Sequence, residues 1–324
     1  MKHSQKIEIV LRKAVLKLPH RTLLILICIL IGIVAGFSAY LLKGVLNYVH
    51  YLIGLIENHG ITNLFLIILP ISGLLLTITY ISIFHRNGLK KGISQILYSI
   101  KNESSVIERN QTYGHIFSSS LTIGFGGSAG FEAPIVATGS AIGSNIARYF
   151  KFVNEERVLL LASGAAAGIS AIFNAPIAGV LFAIEVLIVD MAVMSFIPLL
   201  LASATAAIVS KVLFQSQLFV LITSGWKLSA IPIYIILGLI SGLYSVFIIR
   251  QTIFTEGLLA KIKNKWFRAL FGGILLSSCI FIFPSLFGEG YFTIQSILNL
   301  KKIQIVNRLV VLQQENNWLR KEEC

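Results

Sequence analysis

The stretch Thr122–Tyr149, TIGFGGSAGFEAPIVATGSAIGSNIARY, decides how the rest of this chain is read. Its surroundings are apolar over bilayer-like lengths, and one carboxylate, Glu132, stands inside it with no Lys or Arg nearer in sequence than Arg148. Placing an acid in hydrocarbon costs roughly 3 kcal/mol or more, so acids at that depth face a partner, a cavity or a pathway. Glu132 is therefore the first functional candidate. Gly124, Gly126, Gly127 and Gly130 let the backbone turn and approach another group closely, and Pro134 is tolerated in the first turn of a helix. A helix is expected to begin between Phe131 and Ala133. Its first N–H groups have no partner inside the helix and carry the positive end of the macrodipole, which makes an anion site. Discontinuous membrane helices aim such ends at substrates near the bilayer midplane.

The same residues carry plainer readings. Gly126 to Gly130 and Gly139 to Gly143 are GxxxG spacings, which bring apolar helices into close contact. Glu132 is also a residue type favoured in the first turn of its own helix.

Working outward, the mean hydropathy is +0.82, with 56% hydrophobic and 13% charged residues, a balance that belongs to integral membrane proteins. The net charge of +13 raises the question of nucleic acid. The basic residues fall between apolar runs, where membrane topology accounts for them, so no nucleic-acid partner is expected. Cys28, Cys279 and Cys324 lack metal-ligand spacing, and the six histidines form no HxxxH or HExxH pattern, so neither a metal nor another cofactor is expected. An intramembrane enzyme needs a nucleophile or metal constellation, and Glu132 with scattered serines supplies neither.

Residues 1–20 are basic and amphipathic, and are expected on the cytoplasmic membrane surface. The apolar run after Arg21 is too long for a signal h-region and is expected to continue as a helix. Residues 21–214 read as a first membrane repeat that carries the Glu132 motif. Its first crossing runs from Arg21 to about Glu57 with only Lys43 interrupting, longer than the ~20 residues of a straight span and therefore tilted. Leu64–Phe84 is a second crossing, with Pro70 as a kink. A basic cytoplasmic connection, His85–Gln111, follows. Tyr113–Phe125 and Phe131–Phe150, the latter broken by Gly139 and Gly143, are short pieces that end inside the bilayer.

Leu159–Asp190, LLLASGAAAGISAIFNAPIAGVLFAIEVLIVD, is the second informative stretch. Gly164 to Gly168 offers a flat face for helix contact, and Asn174 reads as an N-cap with Pro176 just inside the next helix. Glu185 is a second acid at or near membrane depth, and a functional role and a water-reaching helix end are both open to it. Met194–Phe214 is a further crossing. Residues 228–300 read as a partial second repeat, with a long helix from Leu228 to about Ile249 and shorter pieces at Ala269–Phe283 and Tyr291–Leu300. Residues 301–324 are a polar tail.

GFGGSAGFEAP at Gly124–Pro134, followed by FNAPIAGVLFAIE at Phe173–Glu185, resembles the CLC family of chloride channels and proton-coupled chloride exchangers, over the span from the first long helix to about Asn299. The resemblance implies an all-α membrane fold of two inverted repeats built from tilted and partly spanning helices. It implies a homodimer with one pore per subunit, joined through the helices spanning Leu159–Ile184, in the plasma or inner membrane with a cytoplasmic N-terminus. Chloride or a similar small anion is then the transported ion rather than a cofactor.

Gly130-Phe131-Glu132-Ala133-Pro134 stands where the family has Gly-Arg-Glu-Gly-Pro. By that match Glu132 is the gating glutamate, whose ionised side chain occupies an anion position, and Gly130, Phe131, Glu132 and Ala133 form the anion-binding turn. Gly92 and Ile93 match the Gly-Ile of the family's Gly-Ser-Gly-Ile-Pro stretch, with Lys91 at the chloride-coordinating serine. Its ammonium is expected to point to the cytoplasm, because so strongly hydrated a charge would hold chloride too tightly for release. Glu185 matches a family acid. Val186 stands where exchangers carry the internal proton-relaying glutamate, and channel-like members have valine there. Passive chloride conduction gated by Glu132 is therefore the expected function, with proton-coupled exchange as the alternative. The family's second Gly-x-Phe-x-Pro motif and later pore tyrosine are not found in this chain, which implies an incomplete second repeat and adds a non-transporting membrane fragment as a third reading.

Overall fold

A computed structural model describes residues 19–57, 64–85, 88–89, 92–187, 196–214, 229, 231–291 and 293–294. The expected cytoplasmic segment over residues 1–18, Lys91 and the polar tail over 301–324 lie outside the described residues. The described elements are α1 (His20–Glu57), α2 (Leu64–Phe84), α3 (Gly92–Asn102), α4 (Gln111–Gly124), α5 (Glu132–Tyr149), α6 (Asn154–Phe173), α7 (Pro176–Leu187), α8 (Phe196–Leu213), α9 (Ile231–Ala260), α10 (Lys265–Ile282) and a 3₁₀ turn at Pro284–Leu286. No strand occurs among the described residues. Five of the helices, α1, α6, α8, α9 and α10, are long and apolar enough to cross a membrane. α9 turns apolar side chains outward along its whole length, Ile233, Leu243 and Phe254 among them, a surface that only hydrocarbon or further protein satisfies.

α6 forms the centre. Leu160 to Ile172 is buried on every side by α1, α5, α7 and α8. Its composition explains this, because Ala, Gly and Ser let neighbouring backbones come close where lipid offers no hydrophobic drive for association. The contact with α5 is backbone on backbone: a Cβ at Gly139 would overlap the Gly164 carbonyl, one at Gly164 the Gly139 carbonyl, and one at Gly143 the Leu160 carbonyl. The break expected at Gly139 and Gly143 is therefore not found: α5 runs unbroken through both. Across the same core, Ser170 Oγ donates to Ser203 O at 2.7 Å, Ser203 Oγ to Pro176 O at 2.8 Å and Ser210 Oγ to Ala171 O at 2.6 Å. Each such bond contributes about 1 kcal/mol.

Asn174 also differs from the expectation. It does not open α7 but closes α6, in the left-handed conformation with φ 56 and ψ 33. α7 then begins directly at Pro176, where a missing N–H costs nothing. Asn is one of the few side chains that tolerates this region, so Asn174→Val should lower the apparent melting temperature in detergent by several degrees, a loss of roughly 1–2 kcal/mol. Asn174→Gly should leave it within a degree. Equal melting of both variants would mean the turn does not impose that conformation. α10 starts at Lys265 rather than Ala269, because the Asn264 side chain accepts from Trp266 N at 3.0 Å and caps a turn that hydropathy alone misses.

The expected dimer face across Leu159–Ile184 is corrected for its first half: the α6 part is used up inside the protomer. What stays open is a stripe on α7, Ile177 and Leu181, beside Ile208 and Val212 on α8.

Candidate functional site

α4 ends in a glycine turn. Gly126 adopts φ 88, its N–H donates to Ile123 O at 2.9 Å, and the Gly127 N–H donates to Thr122 O at 2.8 Å. This is the Schellman arrangement that satisfies the last carbonyls of a helix, and it makes Gly126–Gly130 a turn rather than a helix-contact motif. The chain then passes through Gly130 into Phe131, whose ring is 1% exposed and fastens the entry of α5 in the core.

Phe131 occupies the N-cap position of α5 with φ −85 and ψ −12 and makes no side-chain cap. The first helical bond runs from Ile135 N to Phe131 O at 3.0 Å. Pro134 has no N–H, so the amides of Phe131, Glu132 and Ala133 form an open, electropositive helix start. Glu132 and Ala133 are exposed. The Glu132 side chain folds back across its own entry strand, so that a Cβ at Gly130 would overlap its carboxylate. Its Oε1 accepts a hydrogen bond from Tyr291 Oη at 2.5 Å.

Helix directions fix the end of the molecule at which this carboxylate lies. His20 meets the Glu156 carboxylate, and its ring lies 5.9 Å from that of Phe152, so α1 and α6 begin at one end of the molecule. α5 ends there too, and its 18 residues span about 27 Å. Glu132 therefore lies at the far end, beside the C-terminus of α6. Arg148 stays at the first end, bonded to Asn145 Oδ1 at 2.7 Å, and does not neutralise it.

Lys43 is a buried cation at the far end. It is 7% exposed, donates from Nζ to Ile172 O at 3.0 Å in the last turn of α6, and stands 5.2 Å from the centre of the Phe214 ring. The carbonyl end of a helix and an aromatic face are both suited to an ammonium. Glu289 adds an attracting charge. One residue further along α6, the Phe173 ring meets the Tyr291 ring edge-on at 6.2 Å. Glu132, the end of α6 and the Gly288–Tyr291 segment thus form one neighbourhood.

Gly130, Phe131, Glu132 and Ala133 come together as a single helix start. Gly92, at φ 70, and Ile93 form a second one, the start of α3. α3 packs against α5, and the residues just past its C-terminus are anchored there: Ser144 Oγ donates to Ser105 O at 2.6 Å and accepts from Ile107 N at 3.0 Å. Gly92 and Ile93 are at the end of α3 away from this anchor. Glu185 sits on the exposed side of α7, while Val186 packs against the core. Sequence reasoning missed Lys43, Glu289 and Tyr291. The rule applied to Glu132, that a charge at membrane depth faces a partner, would have singled out Lys43 as well.

The description "Voltage gated chloride channel" belongs to a family model that matches residues 72–313. A putative chloride channel protein, ClcB-like, from Ralstonia nicotianae is 28% identical over 220 residues, 65% of this chain and 51% of that protein. The H(+)/Cl(-) exchange transporter ClcA of Vibrio cholerae is 30% identical over 187 residues, 55% of this chain and 40% of that one. The chain spans about half the length of the curated relatives it matches. Among solved structures, a slow cyanobacterial Cl-/H+ antiporter superposes with a TM-score of 0.74 at 22% identity, over 92% of this chain and 72% of that one, a likeness of fold. An uncapped helix start carrying an acid, an all-α membrane fold and a family match over most of the sequence lead to one conclusion: the chain belongs to the voltage gated chloride channel family, the CLC proteins.

Proposed function

We propose that this protein is a proton-coupled chloride exchanger in which Glu132 competes with the anion for the amides at the start of α5. The observation that carries the reading is the uncapped N-terminus of α5 with the Glu132 carboxylate folded back over Gly130. An ionised Glu132 fills the electropositive position; a protonated one loses its charge, leaves, and admits chloride. Gly130, Phe131, Glu132 and Ala133 supply the anion turn, and Gly92 and Ile93 a second helix start toward the inner side.

Val186 favours passive conduction. Against it stand the exchange transporter named among the relatives and the antiporter among the structural neighbours, so exchange replaces conduction as the preferred reading. With Val186 apolar, the inner leg of the proton's path runs through water. The test is reconstitution in liposomes loaded with chloride and placed in low-chloride medium. Chloride efflux should drive proton uptake against a pH gradient. Efflux without acidification of the lumen would restore the passive reading, and no flux at all would leave the non-transporting reading standing.

The basic residues 86–109 and the basic N-terminal segment support a cytoplasmic N-terminus. Homodimerisation would use the open stripe of α7 and α8. The double change Ile177→Trp and Leu181→Trp, at side chains 68% and 57% exposed, should convert the detergent-purified protein from dimer to monomer in light scattering. An unchanged mass would place the dimer face elsewhere.

A further inference from the structure

Tyr291 lies 159 positions from Glu132 in the chain and belongs to the other repeat. Its hydroxyl nevertheless donates to the Glu132 carboxylate at 2.5 Å, within the range of a charge-assisted bond between a hydroxyl and a carboxylate. The segment that brings it there is fastened independently of that bond. Phe287 fills the space over Gly126, where a Cβ would overlap its ring, and joins Val49, Ile53, Leu69 and Phe125. The Gly288 N–H donates to Gly126 O at 3.3 Å. The Tyr291 ring is braced edge-on by Phe173. So the turn that precedes the anion site is the same turn that anchors the tyrosine closing over it.

We propose that Tyr291 is a latch on the gate: its hydroxyl holds the ionised Glu132 side chain folded over the start of α5 and slows the admission of chloride. This rests on the reading of Glu132 as the gate. A phenol O–H stabilises the carboxylate it donates to, and here it donates to the conformer that blocks the amides. The charged groups around it are Glu132 itself and Glu289 two residues earlier, whose charge acts on the same hydroxyl and also on Lys43. Tyr291 is thus a positioning residue. It acts on the anion through Glu132.

Tyr291→Phe removes the donor and keeps the ring against Phe173. In liposomes, chloride turnover should rise about tenfold, the factor that ~1.4 kcal/mol represents, with the apparent chloride affinity tighter, because the competing carboxylate is held less firmly. In a Glu132→Ala background, which has no acceptor, the same change should add nothing. A fall in turnover with weakened affinity would make Tyr291 an anion ligand, and an equal effect in both backgrounds would make it structural; either overturns the latch. Tyr291→Leu, which also lacks the hydroxyl, replaces the phenylalanine variant if that fails to reconstitute. A reading independent of transport comes from infrared difference spectra of the purified full chain. The carboxylate band identified by its loss in Glu132→Gln should shift in Tyr291→Phe. An unshifted band sinks the latch, whereas an indifferent Glu132→Gln flux sinks the gate on which it rests.

Discussion

Glu132→Gln should abolish chloride-driven proton uptake, by about a hundredfold or more, while chloride efflux continues and loses its dependence on pH. The magnitude is that of removing a positioned acid or base, the role proposed for Glu132. The substitution is close to isosteric, and the amide oxygen still accepts from Tyr291 Oη, so that contact is kept. What changes is charge. A neutral side chain does not compete for the amides of Phe131, Glu132 and Ala133, so the open helix start is left to the anion at every pH. Parallel recordings of extraliposomal chloride and lumenal pH check this. Proton uptake within twofold of the unaltered protein would show that Glu132 does not carry the proton, and an unaltered pH profile of chloride efflux would show that it is not the gate.

Gly164→Leu should prevent the protein from folding into a monodisperse species. In α6 this glycine lies directly against the backbone of Gly139 in α5, and the Gly139 carbonyl occupies the space a first side-chain carbon needs. Overfilled cores usually yield by turning a side chain aside, at about 1–3 kcal/mol. Here the obstacle is backbone on both sides, so α5 and α6 must separate. Separation breaks the contacts of Gly143 with Leu160 and of Gly168 with Ile135 as well. A loss above roughly 4 kcal/mol is expected, enough to empty the folded state of a typical domain. Gly272→Leu, on α10 with nothing near the added carbon, should be tolerated. Size-exclusion profiles of the two variants make the comparison. A sharp Gly164→Leu peak at the original position would refute the close approach of the two helices, and with it the place assigned to Glu132 beside the end of α6.

The legible and illegible parts of this chain divide along a physical line. α2 was expected over Leu64–Phe84 and is found there, because an apolar run between polar residues marks its own ends. The start of α5 was equally plain: Pro134 and the glycines before it allow few other conformations, and the helix begins at Glu132. Asn174 was misassigned because Asn serves both as an N-cap and in the left-handed turn that closes a helix, and Pro176 two residues on suits either. The angle between α6 and α7 decides which. Gly139 and Gly143 were taken to interrupt a helix, when a glycine breaks one only if nothing lies against it.

Sequence alone determined the membrane class, the uncapped helix start and its lone acid, because each follows from neighbours within a turn or two along the chain. It did not determine what meets that acid. The Tyr291 hydroxyl, the Lys43 ammonium at the end of α6 and the Gly139–Gly164 contact join residues from 25 to 159 positions apart. Only the tertiary structure settles such pairings, since the free energy of each depends on where whole helices lie relative to one another and not on the residues' own preferences.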